Sequence, residues 1–180
     1  MIILCGPSAT GKTEIAKLLT KQYGIKKVVT TTTRPMRVNE VNDVDYHFVS
    51  KEKFLSLLDK DFFVEHVEYN NNFYGCGKDE VQDNKVVILE PEGVKNFLKL
   101  NNPNIVTIVL FASEEVRKNR MLNRLDNIDD INKRLLGDKK HFSEENLSFS
   151  DFIINTENKT IEEITKEVYE SYISKKNKTR

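Results

Sequence analysis

Near the start of the chain, Gly6-Pro7-Ser8-Ala9-Thr10-Gly11-Lys12-Thr13 places two glycines, a lysine and a hydroxyl in the order G-x-x-x-x-G-K-[ST]. That spacing suits one task. Glycines let the backbone wrap a phosphate and aim N–H groups inward, and a following helix adds the positive end of its dipole. Lys12 would supply a point charge to the outer phosphates of ATP, and the Thr13 hydroxyl would ligate Mg²⁺. A second group lies at Thr30-Thr-Thr-Thr-Arg34-Pro-Met-Arg37-Val-Asn-Glu40, with two arginines beside a run of hydroxyls. Guanidinium forks grip phosphate oxygens in pairs, and Tyr46 and Tyr74 can each add a phenolic donor. Taken singly, the threonines read as a β-prone stretch and one arginine as a solvated surface charge. Taken together they point to a second phosphate site, and so to an enzyme with two phosphorylated substrates.

A switch-type GTPase does not fit. Asn-Lys occurs at 84, 132, 158 and 177, never followed two residues later by Asp, so the guanine-reading N-K-x-D is absent. The G-x-G-x-x-G dinucleotide fingerprint is absent too. His47, His66 and His141 lack metal-ligand spacing and read as ordinary strand or surface residues. Ser8, Ser50 and Cys76 have no triad partners, and phosphoryl transfer requires none.

Positioning these groups is a chain of 180 residues, the length of one domain with a real core. Lys+Arg and Asp+Glu both number 28, which argues against a nucleic-acid or membrane-surface binder. Within that balance the cations are 21 Lys and only 7 Arg. Cys5 and Cys76 are too few for a disulfide framework or a four-cysteine zinc site. No segment approaches a membrane span, and Met1-Ile-Ile-Leu-Cys5 runs straight into glycine without a basic leader. A cytoplasmic setting is expected, and the sequons at Asn146, Asn158 and Asn177 read as chance.

Ile2–Cys5, Val86–Leu89, Ile105–Phe111 and Phe152–Ile154 are short unbroken apolar runs, the pattern of strands buried on both faces of a parallel sheet. Between them, Lys12–Tyr23, Val94–Leu100, Glu114–Arg124, Ile128–Phe142 and Ile161–Ser174 carry helical apolar spacing. Alternating strands and helices imply a layered α/β fold. Two stretches break the rhythm. Thr30–Gly77 reads as short polar strands, including Asp45–Val49 and Phe63–Val67, one helix near Glu52–Leu58 and a turn at Asn70-Asn-Asn72. Arg117–Phe142 reads as a charged helical pair, with Arg117, Arg120 and Arg124 on one face. Lys175–Arg180 reads as a frayed basic tail.

At this point the chain resembles the guanylate kinases. Gly6–Thr13, Thr32–Glu40, Asp45–Val49, Phe63-Val-Glu65, Tyr74-Gly75 and Ile131-Asn-Lys-Arg134-Leu match that family's motifs in order, over roughly residues 2–170. The resemblance implies a three-layer P-loop NTPase fold with a parallel sheet core (1–29, 78–112 and 143–180), an inserted mixed α/β region (30–77) that binds the monophosphate, and a helical lid (113–142). It implies Mg²⁺-dependent transfer of the ATP γ-phosphate to GMP or dGMP by a monomer or homodimer. Residues 6–13 with Asn155 would bind ATP. Thr30, Arg34, Arg37, Tyr46, Glu65, Tyr74, Gly75, Cys76 and Glu92 would bind GMP. Lys12, Arg34 and the lid arginines Arg120, Arg124 and Arg134 would be catalytic, with Glu90 reaching Mg²⁺ through water. Glu65 would accept from guanine N1–H and the N2 amino group, an arrangement adenine does not offer.

The chain departs from the family's pattern around the base. Thr30 stands for a usual serine, Cys76 for a hydroxyl residue, and Glu90-Pro-Glu92 for an Asp-x-Asp, in a loop about two residues shorter. These changes bear on base selectivity rather than on kinase chemistry. Two other readings stay open: a related kinase for another phosphorylated acceptor, such as a ribose bisphosphate or a different nucleotide, and a catalytically inactive phosphopeptide-binding module.

Overall fold

The computed structural model of the chain describes residues 1–38, 40–69, 71–143 and 147–179. Asn39 of the second phosphate motif, Asn70 of the expected turn, Asn146 of one sequon and Arg180 of the tail lie outside the described residues.

Strand β1 (Ile2–Cys5) is buried along its whole length, and its alternate side chains enter two different cores. Ile2 and Leu4 pack with Ile15 and Leu19 of helix α1 (Lys12–Tyr23) and with Ile164 and Val168 of helix α6 (Ile161–Thr179). Ile3 and Cys5 face the other way, against Val94 and Phe97 of helix α3 (Pro91–Leu98). A strand covered on both sides has no polar face, which is why the sequence run is unbroken. Strands β7 (Lys85–Ile88) and β8 (Val106–Phe111) flank β1, with β2 (Lys26–Lys27) and β9 (Phe152–Asn155) at the edges. Every ladder of this five-stranded sheet is parallel, and helices cover both faces, so the core is a three-layer α/β fold.

A second sheet has the order β4-β3-β6-β5, from β3 (Thr31–Thr32), β4 (His47–Phe48), β5 (Phe63–Tyr69) and β6 (Asn72–Gly77). β5 and β6 form an antiparallel hairpin that turns at Asn71, whose φ is 60°. Helix α2 (Lys51–Asp59) is capped by the Ser50 hydroxyl, which accepts the Lys53 N–H at 3.2 Å. Phe54 stacks on Phe63 and Phe73, fixing α2 to the hairpin. Glu80 ties this sheet to the core: its carboxylate accepts from the Val29 N–H at 2.8 Å and from Lys85 Nζ at 2.6 Å. Helices α4 (Glu114–Asn123) and α5 (Ile128–His141) share a small core of Met121, Ile131 and Leu135, against which Ala9 packs.

Some details differ from the sequence expectations. β9 is buried on one face only, and Ile153 is 65% exposed, because it is an edge strand. The strand expected at Asp45–Val49 shrinks to His47–Phe48, because the Asp45 carboxylate bends the chain back to the Val41 N–H at 2.8 Å. α3 starts at Pro91, ahead of the apolar pattern, since proline's fixed φ suits a first helical position. The basic tail is not frayed through Thr179. α6 continues there because Lys175 pairs with Asp151 at 2.8 Å and Lys176 with Asp83 at 3.0 Å.

Candidate active site

The loop between β1 and α1 turns through left-handed conformations at Gly6, Ala9 and Gly11, with φ of 142°, 63° and 93°. At Gly6 a Cβ would collide with the Leu110 carbonyl oxygen, so only glycine lets the loop leave the sheet here. The Thr10 hydroxyl donates to the Pro7 carbonyl at 2.9 Å and braces the loop from inside. Lys12 opens α1 and folds back over the loop, donating to the Gly6 and Pro7 carbonyls at 2.5 and 2.8 Å. Burial lowers its pKa, opposed mainly by the negative charge of Glu90. Burial in turn raises the Glu90 carboxyl, opposed first by Lys12.

Two cavities meet at Thr30. One of about 540 Å³ is lined by Thr13, Ala16, Lys17, Thr30 and Tyr46 among others. A smaller one of about 110 Å³ is lined by Thr30, Glu65, His66, Tyr74, Gly75 and Cys76. The fold thus brings the hydroxyl of the first motif, the tyrosines of the second and Glu65 along one cleft. Arg34 sits with these tyrosines. Its guanidinium lies 5.4 Å from the Tyr46 ring centre, Tyr46 meets Tyr74 edge-on, and Arg34 Nη2 donates to Glu40 Oε1 at 2.7 Å. That hydrogen bond holds the Glu40 carboxyl below its ordinary value. Arg37 is exposed and meets Glu40 through its backbone N–H, at 2.7 Å.

Glu65 is half-buried in β5, and desolvation raises its carboxyl. Its side chain lies over Gly93 in the first turn of α3, where a Cβ would overlap the Glu65 carboxylate. Cys76, paired with Glu65 across the hairpin, is buried in the second core cluster. Glu92 stands apart from them. Its side chain is 80% exposed, it pairs with Lys95 at 3.6 Å, and it lines a separate cavity with Glu90, Pro91 and His141.

Of the three arginines expected in a lid, Arg120 reaches the loop between β1 and α1, donating to the Ala9 carbonyl at 3.2 Å, and also donates to the Thr156 carbonyl at 2.6 Å. Arg124 and Arg134 share Asp126, at 2.9 and 3.2 Å. Arg120 and Arg124 line a cavity of about 390 Å³ with Ala9, Thr10, Gly11 and Lys159. Asn155 does not line it; it is exposed, and its Oδ1 accepts the Glu157 N–H at 2.8 Å. Arg117, expected on the same face as Arg120 and Arg124, is buried instead and ion-paired with Asp138.

Sequence reasoning passed over Asp138, Thr156 and Gly93. Asp138 carried a readable signal, because it continues the buried stripe of Ile131 and Leu135 on α5 at helical spacing. Thr156 and Gly93 acquire their contacts only through tertiary packing.

For Mg²⁺, the residues present fit. The exposed Thr13 hydroxyl and the Glu90 carboxylate are hard oxygen donors beside the lysine of the loop, and this ion takes only one or two protein ligands alongside phosphates and water. Among the described residues, no three His, Cys, Asp or Glu side chains cluster as a metal cage.

Both thiols are inert by the same physics. Burial pushes Cys5 and Cys76 up to about 12. Neither is therefore expected to react with iodoacetamide at pH 8 in the folded protein, and both should react after denaturation, as mass spectrometry would show.

A guanylate kinase family model matches residues 1–176. The Wolinella succinogenes guanylate kinase is 32% identical over 98% of this chain and 86% of that protein. The Clostridium perfringens guanylate kinase is 38% identical over 69% of this chain and 61% of that protein. The crystal structure of the Anaplasma phagocytophilum guanylate kinase superposes with a TM-score of 0.65 at 26% identity, covering 97% of this chain and 84% of that one. A gluconokinase from Sinorhizobium meliloti shares the fold alone, with a TM-score of 0.56 at 13% identity.

Proposed function

The chain belongs to the guanylate kinase family and is an ATP:GMP phosphotransferase, and we propose that it acts with Mg²⁺ on GMP or dGMP, giving ADP with GDP or dGDP. The observation that carries this reading is the cleft joined at Thr30, which runs from the Thr13 hydroxyl past Tyr46 to Glu65. A triphosphate on the loop and a monophosphate held by Arg34, Tyr46 and Tyr74 would face each other across it.

In this reading residues 30–77 form the GMP-binding region, residues 113–142 the lid, and the rest the ATP-binding core. Phosphoryl transfer asks mainly for alignment and charge neutralisation, since the transition state spreads negative charge over the transferred group. Lys12 would let go of the Gly6 and Pro7 carbonyls to meet the outer phosphates of ATP. Thr13, and Glu90 through water, would hold Mg²⁺, which when bound would supply further positive charge to the phosphates. Arg34 would exchange the Glu40 carboxylate for the acceptor's phosphate oxygens, with Arg37 beside it. Glu65, ionised, would accept two hydrogen bonds from guanine. Arg120, Arg124 and Arg134 would close over the transferred group and exclude water, suppressing ATP hydrolysis. A monomer or a homodimer is expected. The cytoplasm, where ATP and GMP are at hand, is its expected location. Among the described residues no helix is long and apolar enough to cross a membrane.

ADP release measured across GMP, dGMP, AMP, CMP, UMP and sugar phosphates tests the assignment. GMP or dGMP should exceed every other acceptor in kcat/KM. Equal turnover across the panel, or a preference for a sugar phosphate, would sink it. The inactive-module reading is not favoured, because the matched relatives are kinases and Lys12 and Thr13 are both present.

A further inference from the structure

Charge is costly to bury, so an ion pair hidden between two lid helices calls for a reason. Arg117 of α4 and Asp138 of α5 form such a pair, with side chains 7% and 9% exposed. Asp138 spends both oxygens. Oδ2 accepts from Arg117 Nη1 and from the Ser8 backbone N–H at 3.1 Å, and Oδ1 accepts from the Ser8 hydroxyl at 3.2 Å. Arg117 donates through Nε to the Ala112 carbonyl at 3.2 Å and through Nη1 to the Ser8 carbonyl at 3.5 Å. Ser8 is thereby held at its N–H, its hydroxyl and its carbonyl by two residues of the helical pair. The next residue, Ala9, has a φ of 63° and turns the loop, with its carbonyl held by Arg120.

Stability does not explain this arrangement. Desolvating two charges costs about as much as their attraction returns, and apolar residues of similar volume pack as well. The two helices also meet through the apolar Met121, Ile131 and Leu135 and, at the surface, through an exposed ion pair of Glu114 with Lys139 at 3.0 Å. What the charged pair adds is direction. A carboxylate pinned by a guanidinium presents fixed acceptors to one backbone amide, whereas an apolar pair would leave that segment of the loop free to turn.

We propose that Arg117 and Asp138 are positioning residues for ATP, holding the Ser8–Ala9 segment of the phosphate loop in its triphosphate-receiving conformation and coupling it to the lid helices. The inference rests on the kinase reading above.

The test replaces both residues at once, Arg117→Leu with Asp138→Ala, leaving no bare charge. ATP binding is measured by titration calorimetry, which answers whether or not GMP is turned over; wild-type turnover with GMP tests the kinase reading separately. The double variant should melt within a few degrees of the wild type. Its ATP Kd should rise about tenfold, the expected loss of charge-assisted contacts to one amide, while GMP affinity, also measured by titration, stays within twofold. A folded double variant with ATP Kd within twofold of wild type overturns the proposal, as does an equal loss of ATP and GMP affinity. If that double variant does not fold, Arg117→Met with Asp138→Val, which likewise leaves no bare charge, is read by the same two titrations and the same limits.

Discussion

Lys12→Ala is expected to abolish measurable transfer to GMP, lowering kcat/KM by about 10³-fold or more, while the protein melts no lower than the wild type. Removing one preorganised donor from a developing phosphoryl charge costs about 4 kcal/mol of transition-state stabilisation at that fold-change. The structure explains why stability is spared. Lys12 is desolvated, burial lowers its pKa, and its ammonium is met by two backbone carbonyls and by the nearby charge of Glu90. A group buried at such cost serves the reaction rather than the fold. Steady-state kinetics with paired thermal melts check this. Wild-type turnover in the variant would remove Lys12 from the chemistry.

The second large effect is expected from Glu65→Gln. A glutamine offers one acceptor where guanine presents two donors, and it turns an NH₂ group toward one of them. A site built for hydrogen-bonding donors penalises a mispaired group heavily. The kcat/KM for GMP should fall about 10³-fold, with KM for ATP nearly unchanged. The same substitution carries a pH signature. Burial raises the folded carboxyl above its ordinary 4.5, so the folded state keeps a proton that the unfolded chain gives up. The contribution of Glu65 to stability is therefore fully present below pH 4.5 and is lost as pH rises through the raised folded value. Glu65→Gln cannot ionise, so it should melt above the wild type at pH 7.5, and the gap should close as pH falls toward 4.5. A lower melting temperature at pH 7.5, or unchanged GMP kinetics, would contradict the role given to this carboxylate.

Much of this was legible in residue order. The run from Gly6 to Thr13 declares its own context, because its spacing requires a strand before it and a helix after it, and β1 and α1 supply them. Apolar runs without polar alternation specified a sheet covered on both faces, and only the edge strand β9 escaped that rule. Local errors arose where side chains redirected the backbone, as Asp45 does before β4, or where ion pairs extended a helix, as Lys175 and Lys176 do in α6.

The opening balance of charges also gains a meaning. Of seven arginines, Arg34, Arg120 and Arg124 line the clefts or meet their lining residues, and Arg134 shares Asp126 with Arg124. Which arginine does what was not readable from spacing. Helical periodicity put Arg117 beside Arg120 and Arg124 as one face, yet Arg117 turns into the protein to meet Asp138. Motifs fix residue types over short separations, where the covalent chain itself sets distance and phase. Burial, charge pairing and the close approach of Glu65 to Gly93 join residues far apart in the chain, so they depend on how helices and hairpin pack. The chemistry was therefore written in the order of residues, and the placement of its charges in the packing that desolvates them.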